Sequence, residues 1–558
     1  MTTPEKKSPT EPLDLQRKMR ETISGKRPLD RLYPYFVPDY ELPFTHIGTE
    51  KQLFVDNFML DHLDGAERVF PEPTRPERPM LEVGDLPWEV AEYANPIVSG
   101  AIYDEADGKF KLWYTISTEG NTFNLDQVLC YAESEDCLHW RKPLSELCIP
   151  FGEHKATNIV LRDCSADSVV LNHDQSDPDH KFLLLHCPYG RAKEEGKLIV
   201  SSVAASADGL RWKVISEDTQ YRHQHKNSIV WDESIQRWVG YSQHSHHWHH
   251  GPRARQVGRQ ESEDFINWSP KEVVLSGDWD PSLPPNMEFG GMSVRKIGGL
   301  YIGIVAEYPC EPLWCARSDG ANWRDEVRPR LGLYSSRDGK RWLCAGKSPW
   351  VNNRGPGSPD YGYVDGPIGG QMVHKGKTHI AYLAGPHKQW VTGRADNPTL
   401  VPDEAKEASA ARLELLKSLG VDPGWPSKGP ERRSVGVLIL REDGWAEIKP
   451  TYECGKVYTK QFVFEGNVLK VNADCAYGCV KVEMLDPHFH PYEGFSREDC
   501  GPLHGPDSDT AWRAVMWRGN SDVSKLWNKP CRILFDLHET SLYGFQFVWE
   551  NATADERG

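Results

Sequence analysis

Three things are scarce in this 558-residue sequence: long apolar runs, basic charge and ordered cysteine patterns. No stretch approaches the roughly 20 apolar residues that a membrane-spanning helix needs. The first residues, Met1-Thr2-Thr3-Pro4-Glu5-Lys6-Lys7, are charged and open a segment with no apolar core of signal-peptide length. Lys and Arg number 65 against 81 Asp and Glu, a formal net charge of -16. That balance argues against nucleic acid and anionic membrane as partners, because neutralising phosphate takes clustered Lys and Arg. Thirteen cysteines form an odd set without regular spacing, which fits reduced thiols and a cytoplasmic protein better than a disulfide framework.

What the chain does have is a repeated turn. The copies are Ser134-Glu135-Asp136…Trp140, Ser206-Ala207-Asp208-Gly209…Trp212, Ser262-Glu263-Asp264…Trp268, Ser336-Arg337-Asp338-Gly339…Trp342 and, more weakly, Arg441-Glu442-Asp443-Gly444-Trp445. Before each copy runs an apolar strand, a polar hairpin and an aromatic, branched strand; in the first these are Ala101-Ile102-Tyr103, Asp104 to Gly108 and Phe110 to Tyr114. Repetition at this spacing with strand content throughout predicts a propeller of four-stranded blades. The Asp of each copy has a structural use, accepting hydrogen bonds from its own turn. A device present in every blade cannot mark one unique centre.

The expected architecture is all-β, a five-bladed β-propeller followed by a C-terminal β-sandwich. Its expected divisions are an extension over 1–50, a propeller over 51–453 with a helical insertion near 400–422, and a sandwich over 454–558. The sandwich rests on alternating runs such as Val468-Leu469-Lys470-Val471, Arg532 to Phe535 and Tyr543 to Trp549.

In a propeller, residues just before each innermost strand converge on the axis at one face, and the ends of the second strands approach the same face. The first set is Glu92, Asp163 or Asp167, His225, Glu288 and Asp365; the second is His186, His244, Glu307 and His387. A propeller of this kind resembles the five-bladed glycoside hydrolases, and the glycosidic cleavage that this resemblance implies needs one protonated and one ionised carboxyl. Glu288, between the apolar Met287 and Phe289, is assigned the proton donor; Asp163 or Asp167 and Asp365 are the candidates for the ionised partner and stabiliser, and Glu92 is the first-blade carboxylate. His186, Arg191, His225, His244, Glu307 and His387 are candidates for substrate contact.

The segment His244-Ser245-His246-His247-Trp248-His249-His250, with His223 and His225, offers imidazoles that suit sugar hydroxyls or a divalent metal, zinc or calcium. No cofactor is required by the first reading. With a metal the reading shifts to a lyase on uronate-containing sugars, Arg191 and Arg259 taking the uronate carboxylate. A non-catalytic binding propeller is the third reading. The expected partner is an oligosaccharide or glycoside, and a homo-oligomer is compatible with the sequence. His225 and His244 are expected to meet at the funnel mouth with His246 in reach.

Propeller and sandwich together resemble the five-bladed glycoside hydrolases of the fructan-hydrolase and arabinanase superfamily. Leu53-Phe54-Val55-Asp56, Gln256 to Phe265 and Leu542-Tyr543-Gly544-Phe545-Gln546-Phe547 are similar to a large bacterial group related to those hydrolases, with glycosyl hydrolase family 32 N-terminal-like sequences. The resemblance implies three carboxylates at the inner strands of the first three blades. Here Asn95-Pro96 stands where an Asp is expected, Arg162-Asp163 is similar to the second motif, and His223-Gln224-His225 replaces the third acid.

Overall fold

The computed structural model describes residues 45–89, 96–118, 127–188, 201–221, 227–247, 253–279, 283, 287–309, 328–346, 348–366, 370–386, 433–505 and 510–550. Among them the chain forms two compact units: those within 72–296 and 300–440, and those within 45–71, 297–299 and 441–550. The expected insertion at 400–422 lies outside the described residues.

The first unit is the five-bladed propeller. Its inner strands are Ile97–Asp104, Ser165–Leu171, Ser228–Asp232, Met287–Ile297 and the interrupted pair Tyr363–Asp365 and Gln371–His374. Each leads an antiparallel blade, and blades two, three and four are regular four-stranded sheets. All five inner strands line one axial cavity. They can crowd together because Gly100, Ser168, Ser228, Ser293 and Gly370 are small. A Cβ on Gly100 would lie 2.6 Å from Val169 Cβ, and one on Gly370 would lie 2.1 Å from the carbonyl oxygen of Ala101.

The repeated turn works as its residues suggest, and identically in four copies. In blade two, Leu210 N and Arg211 N donate to Asp208 Oδ1, both at 2.9 Å, and Gly209 N donates to Ser206 Oγ at 2.8 Å. Asp136, Asp264 and Asp338 accept the same pair of amides. The next residue takes a positive φ, at Gly209 and Gly339 without steric cost, at Cys137 and Phe265 against it. Its carbonyl then receives the indole N–H of the repeat tryptophan. The same carbonyl couples neighbouring blades: Trp113 Nε1 of blade one donates to Gly209 O at 2.8 Å, and Tyr241 OH of blade three donates to Gly339 O at 2.9 Å.

The fifth copy departs from this plan, because Arg441 to Trp445 belong to the second unit. Blade five is completed instead by the segment before blade one. Thr74 pairs with Ile439 and Leu81 with Val435, and Val435 N and Ile439 N return hydrogen bonds of 2.9 Å to Leu81 O and Thr74 O. The ring thus closes on its own beginning, and closure turns two edge strands into one paired blade.

The second unit is all-β. The 18-residue strand Val468–Leu485 pairs with Ser541–Val548 along its first part and with Arg532–His538 along its second, so one long strand serves two sheets. Phe54, Phe462, Phe464, Phe535, Phe545 and Phe547 pack with the surrounding aliphatics into one core, consistent with a β-sandwich. Gln52–Leu53, Leu60–Asp64 and Ala66–Val69 pair into these sheets. The expected propeller start at 51 and end at 453 therefore shift to about 72 and 440. Thr45–Gly48, expected as extension, runs parallel to Phe462–Phe464. No disulfide joins the described cysteines to one another, and no described helix is long and apolar enough to cross a membrane.

Candidate functional site

Inner strands run away from one face of the propeller, second strands return to it, and third strands leave it again. That face, the funnel face, gathers the starts of inner and third strands and the ends of second strands. It holds a connected set of buried polar side chains on blades three to five.

Glu288 is the second residue of blade four's inner strand and is buried. Its Oε2 lies 3.8 Å from Nε of Arg255, an ion pair too long for a direct hydrogen bond. Arg255 stands near the start of blade three's third strand, and its guanidinium lies over the Tyr308 ring, 4.7 Å from the centroid. Tyr308 stands one residue before the end of the second strand of blade four, Leu300–Pro309, and donates its hydroxyl to Asp365 Oδ2 at 2.8 Å. Asp365, fully buried, also accepts from Tyr363 OH and from Gly366 N at 2.6 Å. Arg433, just before blade five's third strand, lies over the Tyr363 ring at 3.9 Å. Two carboxylates on adjacent blades are thus linked through an arginine and a tyrosine. Burial pushes the Tyr308 and Tyr363 hydroxyls far above the ordinary range, with Asp365 adding to it, so both remain donors at neutral pH. Gly290 makes room for this: a Cβ there would meet the Tyr308 ring at 2.2 Å.

Glu307, one residue before Tyr308, is also fully buried, and its partners lie in its own blade. Ser348 Oγ donates at 2.5 Å, Tyr334 OH at 3.1 Å, and Arg330 Nε stands 3.4 Å away. Burial raises its pKa, and these three neighbours offset part of that rise. A Cβ on Gly332 would fall 2.1 Å from Glu307 Oε1. Such a packed carboxyl acts as a strut of blade four.

The other expected residues are placed as follows. Asp167 occupies the bulge of blade two's inner strand, since Ala166 pairs with His186 and Ser168 with Leu185. Ser99 holds the same position in blade one. Asp163 sits in the turn before that strand with φ 50°. His186 is buried at the end of blade two's second strand, and His244 is half-buried opposite Gln256. Arg259 is used within blade three, where it pairs with Glu261 at 2.5 Å and lies over the Tyr241 ring. Glu92, Arg191, His223, His225 and His387 lie outside the described residues, and only the backbone of His246 is described, opposite Ala254. The expected meeting of His225 and His244 therefore has no counterpart among the described residues. Among those residues no three His, Cys, Asp or Glu side chains group as a metal ion would require.

Reading for acids and histidines missed Arg255, Tyr308, Tyr363 and Arg433. A signal was present: blades four and five open their third strands at or beside an arginine, Arg330 and Arg433, and blade three carries Arg253 and Arg255 at the same place. A buried carboxylate outside the expected set is Glu89, which accepts from Tyr114 OH and Lys142 Nζ, both at 2.7 Å, and from Gly84 N. Burial raises its pKa, and Lys142 and Tyr114 pull it back. These bonds fix the segment leading into blade one.

Five sheets around an axis, with polar side chains collected at one face, define a five-bladed β-propeller, the fold expected from the sequence resemblance. No family model and no curated protein matches the chain. Solved structures similar to it include the GH32 beta-fructofuranosidase of Bombyx mori (13% identity, TM-score 0.37, 86% of this chain and 95% of that one). An N-acetylgalactosamine deacetylase from F. plautii shares 14% identity at a TM-score of 0.38, covering 68% of this chain and 96% of the other. A fructofuranosidase from Schwanniomyces occidentalis shares 11% at 0.37, covering 86% and 98%. Likeness at this level carries no argument about the reaction.

Proposed function

We propose that the propeller is a carbohydrate-active enzyme that cleaves a glycosidic bond in a small oligosaccharide or glycoside. The observation supporting this is the pair of buried carboxylates, Glu288 and Asp365, on adjacent blades of the funnel face and linked through Arg255 and Tyr308. In this reading Glu288 gives its proton to the leaving oxygen. Asp365, held by three donors, is the ionised partner that stabilises the positive charge developing on the sugar. Arg255 and Tyr308 are positioning residues that set the spacing between the two. Asp167, on its bulge in blade two, supplies the third carboxylate, which activates water or attacks carbon.

The test is turnover by Glu288→Gln and Asp365→Asn on paired glycosides of one sugar, one with an alkyl and one with a dinitrophenyl leaving group. Loss of a general acid costs about 10²–10⁴-fold. Glu288→Gln should show that loss on the alkyl glycoside and much less on the dinitrophenyl one, whose oxygen leaves unprotonated. Asp365→Asn should slow both alike. Wild-type turnover of both substrates by Glu288→Gln removes it from the acid role.

A further inference from the structure

Arg255 is buried at the funnel face, with 7% of its side chain exposed, and its guanidinium makes no hydrogen bond among the described residues. Its Nε is sealed from water without a partner; the two Nη atoms are not sealed, and they stand without a hydrogen bond as well. A guanidinium offers five N–H donors in one plane and stays charged at any working pH. Buried groups of this kind are nearly always paired. The Tyr308 ring lies beside it, 4.7 Å from ring centroid to guanidinium carbon, but a ring face supplies no acceptor oxygen. Glu288 is the only described carboxylate within ion-pair distance, 3.8 Å from Nε.

The other arginines near this face are engaged. Arg330 stands 3.4 Å from Glu307, and Arg433 lies over the Tyr363 ring, whose hydroxyl donates to Asp365. Arg259, which the sequence offered for a carboxylate, is held by Glu261 at 2.5 Å. Asp365 meets Arg255 only through Tyr308, and takes its hydrogen bonds from Tyr308, Tyr363 and Gly366 N.

Glu288 ceases to be an anion in the reaction proposed above. To give a proton to the leaving oxygen it must carry that proton, and so be neutral, before the bond breaks. Arg255 then faces no ionised carboxylate within ion-pair distance among the described residues, a buried charge left uncompensated. A substrate that brings one negative charge restores the balance, and a carboxylate matches the guanidinium fork with two parallel hydrogen bonds. We propose that the substrate of this site is an acidic sugar, a uronic acid unit whose carboxylate is held by Arg255. The inference rests on the glycosidase reading, through the protonated state of Glu288.

Calorimetric titration of the full chain at neutral pH tests it, with D-glucuronate, D-galacturonate and D-mannuronate beside D-glucose, D-galactose, D-mannose and glucose-6-phosphate. At least one uronate should bind with a Kd at or below about 1 mM, and at least about tenfold tighter than its neutral counterpart. Arg255→Met should weaken that binding at least about tenfold and erase the preference over the neutral sugar. Arg255→Lys, which keeps the charge but not the fork, should fall between. Glu288→Gln, whose amide stands in for the protonated carboxyl, should bind the uronate at least as tightly as wild type. Thermal melts check that the variants are folded, and the comparison of uronate with neutral sugar in wild type needs no variant. Absence of uronate binding, equal binding of the neutral sugars, or weaker uronate binding in Glu288→Gln overturns the proposal. Tighter binding of glucose-6-phosphate than of every uronate overturns it too, in favour of a phosphorylated sugar. Because no turnover is measured, the two readings fail apart. Uronate binding by a chain that cleaves no glycoside removes only the reaction, whereas cleavage of neutral glycosides without uronate binding removes only the acidic sugar.

Discussion

Gly209→Ala should be among the most damaging single-methyl additions in the propeller. Gly209 sits at φ +79°, where an alanine costs about 1–2 kcal/mol from its Cβ alone. The added Cβ would lie 2.5 Å from Trp113 Cζ2 and 3.3 Å from Cε2. Trp113 is fully buried and its indole N–H is tied to Gly209 O at 2.8 Å, so the ring cannot swing away without breaking the bond that couples blades one and two. Overpacking of this kind adds about 1–3 kcal/mol, for a total of about 2–5 kcal/mol. Gly152 provides the control: its φ is +56° and nothing lies within 4 Å of a built Cβ, so Gly152→Ala should show the backbone part alone. Urea unfolding followed by tryptophan fluorescence, with unchanged slope, measures both. Equal losses for the two variants would mean that the turn carbonyl and Trp113 do not lock the blades together, and the staple argument would fall.

Other outcomes follow from the same structure. Asp208→Asn keeps an oxygen for Leu210 N and Arg211 N and should cost a few tenths of a kcal/mol, whereas Asp208→Ala should cost about 1 kcal/mol, as for a lost helix cap. Burial works against the charge of Asp208, yet the amides and guanidinium of residues 210 and 211 outweigh it and hold its pKa low. The stability its charge supplies is therefore present above the unfolded carboxylate range and lost as pH falls through the lower folded value, so wild type should lose its advantage over Asp208→Asn below about pH 4. His379 works in the same direction on acidification, at higher pH: burial, with Lys377 and His374 adding to it, lowers its pKa to about 4. Below pH 6.5 the unfolded chain takes up a proton that the folded one refuses, so stability falls between pH 6.5 and 4, by up to about 3 kcal/mol. His379→Leu should flatten that part of a pH–stability curve, and an unchanged slope would show the imidazole to be solvated.

The blade count was legible because the device that announces it is local. Ser, Asp and Trp within seven residues make nearly all of their turn's hydrogen bonds to one another, so composition and spacing suffice to find it. The placement of Glu288 and Asp365 on the inner strands of their blades was legible for a related reason: once blades are counted, inner strands are equivalent elements. The arginine and tyrosine linking them were not, since their role comes from a contact across blades that no local pattern records. The division into units failed in the same way. Leu53-Phe54-Val55 reads as a strand whichever sheet takes it, and partner choice was decided by the phenylalanine core built from residues 462 to 547. Arg441 to Trp445 has the letters of the repeated turn, yet Arg441 reaches Asn472 at 2.5 Å and Asp443 holds Lys51 at 2.6 Å, both within the second unit.

Ring closure is the least legible feature, and it yields the last prediction. Thr74 and Leu81 pair with residues more than 350 positions away, through isolated bridges that leave no run of alternating residues to recognise. Yet Val435, whose carbonyl accepts from Met80 N at 2.9 Å and Leu81 N at 3.1 Å, is fully buried, so water cannot readily replace those donors. Leu81→Pro deletes one donor and strains the residue before it, at a cost of about 1–3 kcal/mol. Because the lost bond closes the ring, its effect should appear where the ring opens. In native-state hydrogen exchange the amides of Val435 and Ile439 should lose protection in Leu81→Pro, while the central strands of blades two and three, Phe182–Cys187 and Arg237–His247, keep theirs. Wild-type protection at Val435 and Ile439 would mean that blade five holds together without the segment before blade one, and the closure assigned to residues 74–81 would be wrong.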